Sequence, residues 1–415
     1  MEKGIGKTLE ADAGSQVAAQ ADAGVRGGRP RALCATRRDR LPEPAQRPSL
    51  TFANLFALVK DFVGTDVSLQ KDMSLPTNFC EPLTDLQRRG EFMSYSELLD
   101  QAADAEAGSL QRLLLVTAYA VSVYSCVDRT WAPFRSPTGE TCELVDEERG
   151  IRALGEKCAE CPGQQAFVCE GRRWVFSADE QNKIEFRGNY ANWRPTALLS
   201  VKFWDSEELE WQPLLTTVSH ILIGKLSIHH TGTLHVHGST SGLASKTVFR
   251  EPLLALSSRH VHAVKGHIER DGQPLHYPRI HGRWDSAVYV SHKQGQDELL
   301  FQPRAPPLHP CRYGFGTWTL GLNDMPASLE RILPPSDARR RRDLRLLEEG
   351  RYVEADAERL RILKRIAAAR ALATQSHQPR WFKLNPEATL GQARRLEYAG
   401  GYWEARAAVE AGQAA

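Results

Sequence analysis

The sequence predicts an α+β protein, mainly β, in which an antiparallel sheet curls into a barrel or sandwich between helical segments. Two observations predict this. Between residues 140 and 325, short β-branched or aromatic runs recur: Trp174–Phe176, Ala197–Phe203, His220–Ile228, Thr233–His237 and Val261–Ile268. Turn residues punctuate them at Gly188, Gly224, Gly232, Gly238, Asp271-Gly272 and Gly282. Strands of this length, with turns roughly every 8–12 residues, mark a curled sheet. On either side the pattern changes to helical spacing or to helix-favouring composition.

Taken in order, residues 1–50 are rich in Ala, Gly, Asp and Arg, carry Pro at 30, 42, 44 and 48, and read as a disordered tail. Its seven arginines between Arg26 and Arg47 stand against Asp39 and Glu43, a solvated charge run. From Thr51, Phe52, Leu55, Phe56, Val59, Phe62 and Val63 recur at three- and four-residue spacing and Gly64 follows, which predicts an amphipathic helix. A helical block is expected from Ser94 to Tyr124. Beyond the strands, helix is expected to return from Arg339 to about Ala373, where Ala, Leu, Arg and Glu dominate, and the chain reaches GGYWE at Gly400–Glu404.

Composition excludes several classes. In 415 residues, 53 Lys and Arg oppose 51 Asp and Glu, a balance of +2 that offers no global field for nucleic acid. The apolar stretch Leu113–Tyr124 is shorter than the roughly 18 residues a membrane span needs. No secretory leader is recognisable at the N-terminus, so the expected location is the cytoplasm. Cysteines at 34, 80, 126, 142, 158, 161, 169 and 311 are irregularly spaced and are expected to be free thiols.

Two groups could hold a metal. His235 and His237 would share one strand face, with His229 arriving from a paired strand, but no carboxylate within the run orients them. Cys158 and Cys161 form a CxxC with Cys169 nearby and no second pair. No metal or cofactor is therefore expected. No nucleophile elbow, Walker loop, HExxH or dinucleotide fingerprint is present, so no catalytic residue is assigned and the chain is not expected to be an enzyme.

Five strings, in order, resemble the lipid-binding domain of the oxysterol-binding protein family. LPTNFCEPLTDLQRRGEFMSYSELLDQAA (Leu75–Ala103) is similar to that family's opening "MPxxFNEPxSxLQRxxExxEYSxLLDxA", and WAPFRSPTGETCEL (Trp131–Leu144) to "KPFNPLLGETYEL". HILIGKLSIHHTGTLHV resembles "NIIxGxxWIDHxGxxxI"; LPPSDARRRRDLRLLEEG (Leu333–Gly350) resembles "LPPTDSRLRPDxRxLExG"; PRWF and GGYWE resemble the closing strings. The resemblance runs from about Thr51 to Trp403. It implies an incomplete antiparallel β-barrel around a lipid tunnel, closed by an N-terminal lid and flanked by helices. The implied layout is a tail (1–50), a lipid-binding domain (51–404) and a second tail (405–415). Within the domain lie a lid (51–70), a helical block (75–125), a barrel (130–325) and a C-terminal helical region (330–404). Phe52, Leu55, Phe56, Val59, Phe62 and Tyr124 are then lid or tunnel residues.

The implied function is binding of a sterol or glycerophospholipid and its transfer between membranes by a monomer that touches membrane surfaces transiently and peripherally. Two alternatives stand beside it: a non-exchanging lipid sensor or scaffold on the same fold, and a metal-dependent enzyme built on His229–His237. Departures from the family pattern concern phosphatidylinositol 4-phosphate, which many members exchange. The family's "EQVSHHPPxxA" falls on Glu156–Ala166, where Glu160 and Cys161 replace both histidines, and Ala132 replaces the lysine of "KPFNP". The late-helix charged triplet falls on Arg359, Leu363 and Ala367. Arg135, Lys157 and Arg359 remain as candidate contacts for an anionic headgroup, and the inositol phosphate site reads as degenerate.

Overall fold

The computed structural model describes Arg38, Arg40, Leu41 and residues 75–126, 129–160, 163–250, 262–372, 377–385 and 396–412. The expected lid, with Phe52, Leu55, Phe56, Val59 and Phe62, lies outside the described residues. Within the expected tail, Leu41 is buried against Leu83, Tyr313, Phe315 and Leu320, and Arg38 Nη1 donates to Glu348 Oε1 at 2.8 Å.

Strands β1 (Cys80–Thr84) and β2 (Ala132–Phe134) form a short parallel pair. One sheet of 13 strands follows. Its members are β3 (Thr141–Asp146), β4 (Ile151–Glu160), β5 (Gly163–Glu170), β6 (Trp174–Phe186), β7 (Tyr190–Phe203), β8 (Glu208–Trp211), β9 (Leu215–Ser219), β10 (Ser227–Gly238), β11 (Leu243–Phe249), β12 (Ala263–Arg270), β13 (Gln273–Arg283), β14 (Ala287–Ser291) and β15 (Asp297–Phe301). All pairings are antiparallel along an open path from β15 to β3, with β9 bridging β7 and β10. A curled path with two end strands is an incomplete barrel.

Alternation decides which face is inside. Trp174, Phe176 and Ala178 on β6, Leu199, Val201 and Phe203 on β7, and Leu234 and Val236 on β10 all point inward into one apolar cluster. β4 and β5 are buried on both faces. Ala153 and Phe167 face in, whereas Leu154, Ala166 and Val168 face out against Phe382, Leu396 and Tyr402 of the C-terminal segment.

Helix α1 (Glu97–Asp104) leads into α2 (Leu110–Cys126), which crosses the inner face of β10, β11 and β15. Every residue of α2 from Arg112 to Ser122 is buried, as expected of a helix apolar on nearly all sides. Its Thr117 hydroxyl meets Ser245 Oγ at 2.7 Å.

Three expectations are corrected or refined. The helical block expected from Ser94 begins as a 3-10 segment, Gln87–Tyr95, and breaks between α1 and α2 at Gly108 (φ 70°). The helical stretch expected from Arg339 to Ala373 divides into two helices, α3 (Arg342–Glu348) and α4 (Tyr352–Leu372), because Gly350 takes φ 77° between them. The run His220–Ile228 straddles a turn, and His229 lies on the same strand as His235 and His237. Thr231-Gly232-Thr233 stays extended, pairing first with β9 and then with β11.

An end strand exposes unpaired N–H and C=O groups. At β3 the segment before α3 covers them. Thr141 N–H donates to Ser336 O at 2.9 Å, Glu143 N–H to Asp337 Oδ2 at 3.3 Å, and Arg339 Nη2 to Glu143 O at 3.1 Å. Helix α5 (Tyr402–Glu410) adds Tyr402 and Arg406, which donate to the buried Glu143 carboxylate at 2.7 and 2.9 Å.

The helical face is held by buried charge. Glu81 accepts from Arg88 Nε at 2.6 Å and from Arg129 Nη2 at 3.0 Å; Arg129 also reaches Glu91, which accepts the Thr319 hydroxyl. Burial pushes the Glu81 carboxyl up, but the Arg129 and Arg88 guanidiniums outweigh it and hold it below the usual range. Replacing Glu81 with Gln removes the charge that compensates two buried cations and should cost about 3 kcal/mol in urea unfolding. The exposed pair Arg351–Glu354 is the control: its removal should leave the midpoint unmoved.

Candidate functional site

Lys157, Gln165 and Glu180 are Cα partners across β4, β5 and β6. Their register puts them on the inner face, one step along from Phe167 and Ala178, toward the end of the barrel that carries the β4–β5 turn. The 3-10 segment and the turn before it lay two further charges against this row. Arg89 Nε lies 2.5 Å from Glu180 Oε2, and Asp85 Oδ2 accepts from Lys157 Nζ at 3.2 Å. Arg89 also lies over the rings of Phe92 and Trp193, at 5.7 and 5.6 Å.

Burial raises the Asp85 carboxyl, but Lys157, the Ser136 hydroxyl and N–H, and Arg89 together hold it below its ordinary range. Glu180 goes the other way, because burial outweighs Arg89 and Lys157. Both amide atoms of Gln165 are buried without a hydrogen-bond partner among the described residues. One donor and one acceptor on the inner face can meet a single hydroxyl, which donates and accepts. Further in, the wall is aromatic: Phe92, Phe167, Phe176, Tyr119 and Trp211 contact one another at 5.3 to 6.4 Å, mostly edge to face.

Of the described candidates read from the sequence, Lys157 stands in this row, and Tyr124, Arg135 and Arg359 stand on other elements. Tyr124 is buried on α2, accepts Leu214 N–H at 2.9 Å through its phenol oxygen, and packs on His230 and Phe249. Burial raises its pKa. Arg359 lies over the Phe134 ring at 4.2 Å and donates to Leu75 O at 2.8 Å. Arg135 is half-buried, and its carbonyl accepts from Arg341. One short segment links these groups to the row, since Phe134 touches Arg359 and Ser136 N–H donates to Asp85, the partner of Lys157.

Glu156, the first residue of the altered string, is held elsewhere by the N–H groups of Arg380 and Trp381, each at 2.8 Å. Glu160 ends β4, while Cys161 is outside the described residues. Sequence reasoning missed Asp85, Arg89, Gln165 and Glu180. The alternation that places Trp174, Phe176 and Ala178 inside also places Glu180 there, and that signal was available.

The histidines do not converge. His235 and His237 lie on the outer face with rings 5.3 Å apart, His229 sits beside His262 at 6.4 Å, and His230 points inward. Among the described residues no three His, Cys, Asp or Glu side chains form a group able to hold a metal.

His230 is a neutral core ring. It packs on Tyr124 and on Trp284, shares a 3.0 Å hydrogen bond with Thr216 Oγ1, and is pushed down to about 3 by burial, with His262 and His229 adding to the shift. Its folded pKa lies below the unfolded value, so its contribution is present above about pH 6.5 and is lost as pH falls toward 3. Between about pH 6 and pH 5 the stability difference between wild type and His230→Gln should shrink by about 1.4 kcal/mol per unit. Urea titrations at several pH values read this, and a difference constant over that range would show that the ring is not held neutral.

The chain resembles known proteins in both sequence and fold. Residues 54–407 match the family model described as oxysterol-binding protein. The chain is 34% identical over 377 residues to oxysterol-binding protein-related protein 2B of Arabidopsis thaliana, covering 89% of this chain and 52% of that protein. It is 32% identical to protein 1B of the same plant, covering 89% and 74%. The chain thus spans about half the length of one relative and three quarters of the other. Among solved structures, the Osh3 ORD of Saccharomyces cerevisiae in complex with PI(4)P superposes with a TM-score of 0.77 at 25% identity, covering 90% of this chain and 97% of that one. The Osh1 ORD domain in complex with cholesterol gives 0.80 at 24%, covering 97% and 98%, a likeness of fold. The family is one of lipid-binding and lipid-transfer proteins rather than enzymes, and this chain belongs to the oxysterol-binding protein family.

Proposed function

We propose that this chain binds a sterol or glycerophospholipid inside its barrel and carries it between membranes, acting as a monomer with transient membrane contact, and that its inositol phosphate site is degenerate. The observation that carries the reading is family membership joined to an inner face that is aromatic and aliphatic over most strands and polar along one row. An apolar lipid leaving a bilayer must keep its surface from water, at about 25 cal/mol per Å², and an enclosed apolar wall meets that need.

Charge supports the second half. Glu160, Cys161 and Ala132 stand where the family pattern places two histidines and a lysine. Of the remaining cations, Lys157 is engaged by Asp85, and Arg359 by Leu75 O and the Phe134 ring. A doubly charged phosphate needs several converging donors, each contributing roughly 1.5–3 kcal/mol.

Transfer between liposomes tests the carrier reading. Purified protein should extract and move a fluorescent sterol or glycerophospholipid, and failure with both classes overturns it. Phosphatidylinositol 4-phosphate at about micromolar concentration should not displace the carried lipid. The combined variant Ala132→Lys, Glu160→His, Cys161→His should gain that competition; displacement from the wild type would show the site to be intact.

A further inference from the structure

Two neighbouring turns stand out at the same end of the barrel as the β4–β5 turn. β6 and β7 continue past the end of β5: Asn182 pairs with Gly163, and the strand runs on to Phe186, four residues or about 13 Å further. Beside the β6–β7 turn sits the β9–β10 turn, with Tyr190 paired to Ser219. Its tip, Ile221-Leu222-Ile223, is apolar and out of the core. Ile223 is 70% exposed, Tyr190 beside it is 43% exposed, and Ile221 and Leu222 are half-buried.

This tip is built rather than loose. Asn189 O accepts Ile221 N–H at 3.0 Å, and Asn189 Oδ1 accepts Leu222 N–H at 3.1 Å and Ile223 N–H at 2.9 Å. Asn189 Nδ2 in turn donates to Ile223 O at 3.3 Å. Gly224, at φ 112°, lies against the His220 ring, where an added Cβ would come within 2.8 Å. Ile223 is therefore displayed, with Ile221 and Leu222 half-buried beside it, without the loop entropy that ordering the tip would otherwise cost. On these two turns and the strands leading into them Lys183, Arg187, Arg194 and Lys225 are exposed, and among the described residues there the carboxylate of Glu185 contacts Lys183 and Arg187.

We infer that the β9–β10 tip, with Tyr190 and this ring of cations, is a wedge that inserts into anionic bilayers and brings the β4–β5 turn end of the barrel to the lipid surface. A hairpin tip is far smaller than the roughly 800 Å² per partner of a stable protein interface. Apolar side chains ringed by Lys and Arg instead suit the boundary between acyl chains and acidic headgroups. The inference rests on the lipid-carrier reading only for its purpose, since vesicle binding is measured separately from lipid carriage.

The experiment is co-sedimentation of the full chain with phosphatidylcholine vesicles, with and without about 30 mol% phosphatidylserine. Wild type should bind both, and the serine lipid more tightly. Leu222→Ser with Ile223→Ser should weaken partition on both by about tenfold or more. Arg187→Glu with Lys225→Glu should abolish only the gain given by phosphatidylserine. Melting temperature and lipid content by native mass spectrometry, unchanged from wild type, separate these effects from misfolding; Ile223→Ser alone, at the most exposed position, is the milder second variant. No binding by the wild type, or serine variants that bind like it, overturns the wedge. Vesicle binding by a wild type that carries no lipid would overturn the carrier reading and leave the wedge standing.

Discussion

The architecture of the β4–β5 turn end depends on how the open edge at β3 is closed. An incomplete barrel leaves an end strand whose N–H and C=O groups need partners, and burial makes an unmet group expensive. Here Ser336, Asp337 and Arg339 supply those partners, and Glu143 of the same strand anchors Tyr402 and Arg406 of the last helix. With the C-terminal segment fixed there, Arg380 and Trp381 reach Glu156, and Phe382 and Leu396 cover the outer face of β4 and β5. Two strands are thus buried on both faces, and contacts on the outer side of the sheet back the inward row of Lys157, Gln165 and Glu180, next to which the β4–β5 register shifts between Lys157 and Ala159.

The strings that resemble the family also touch one another. Glu81 of the first string binds Arg129, just before the second; Thr141 and Glu143 of the second bind the fourth; Tyr402 of the last binds Glu143. What makes them recognisable is therefore mostly mutual packing and buried charge at the edges of the barrel. The inward row of Lys157, Gln165 and Glu180 and its partner Arg89 lie largely outside those mutual contacts, with Arg89 paired to Glu180 and the Gln165 amide left without a partner among the described residues.

This division explains what was legible in the sequence. Period-two burial over Trp174–Ala178 and Ala197–Phe203 follows from β-branched and aromatic spacing, and α2 from an apolar run too long to be a strand. Buried charges were not legible, because Glu81, Arg129, Lys157 and Asp85 read as surface residues until partners 48 and 72 positions apart are brought together. The strand β10 was misread because Thr-Gly-Thr resembles a turn in composition, although two successive partners keep it extended. In the same way Arg359 kept its charge in the sequence comparison, while its side chain is committed to Phe134 and Leu75.

The same accounting bears on which lipids the inner face can accept. Asp85 and Lys157 neutralise each other, and Arg89 faces Glu180, so the row presents polarity without a clear excess of either charge. An anionic group entering there would gain from Arg89 and Lys157 only by displacing carboxylates already in contact with them, and burial makes each freed carboxylate costly. A neutral hydroxyl meets no such opposition, because the Gln165 amide offers it a donor and an acceptor that no described side chain uses. On the proposed carrier reading, self-paired charges with an open amide would suit neutral hydroxylated lipids better than anionic ones, and the cations proposed to ring the β9–β10 tip would act outside the barrel.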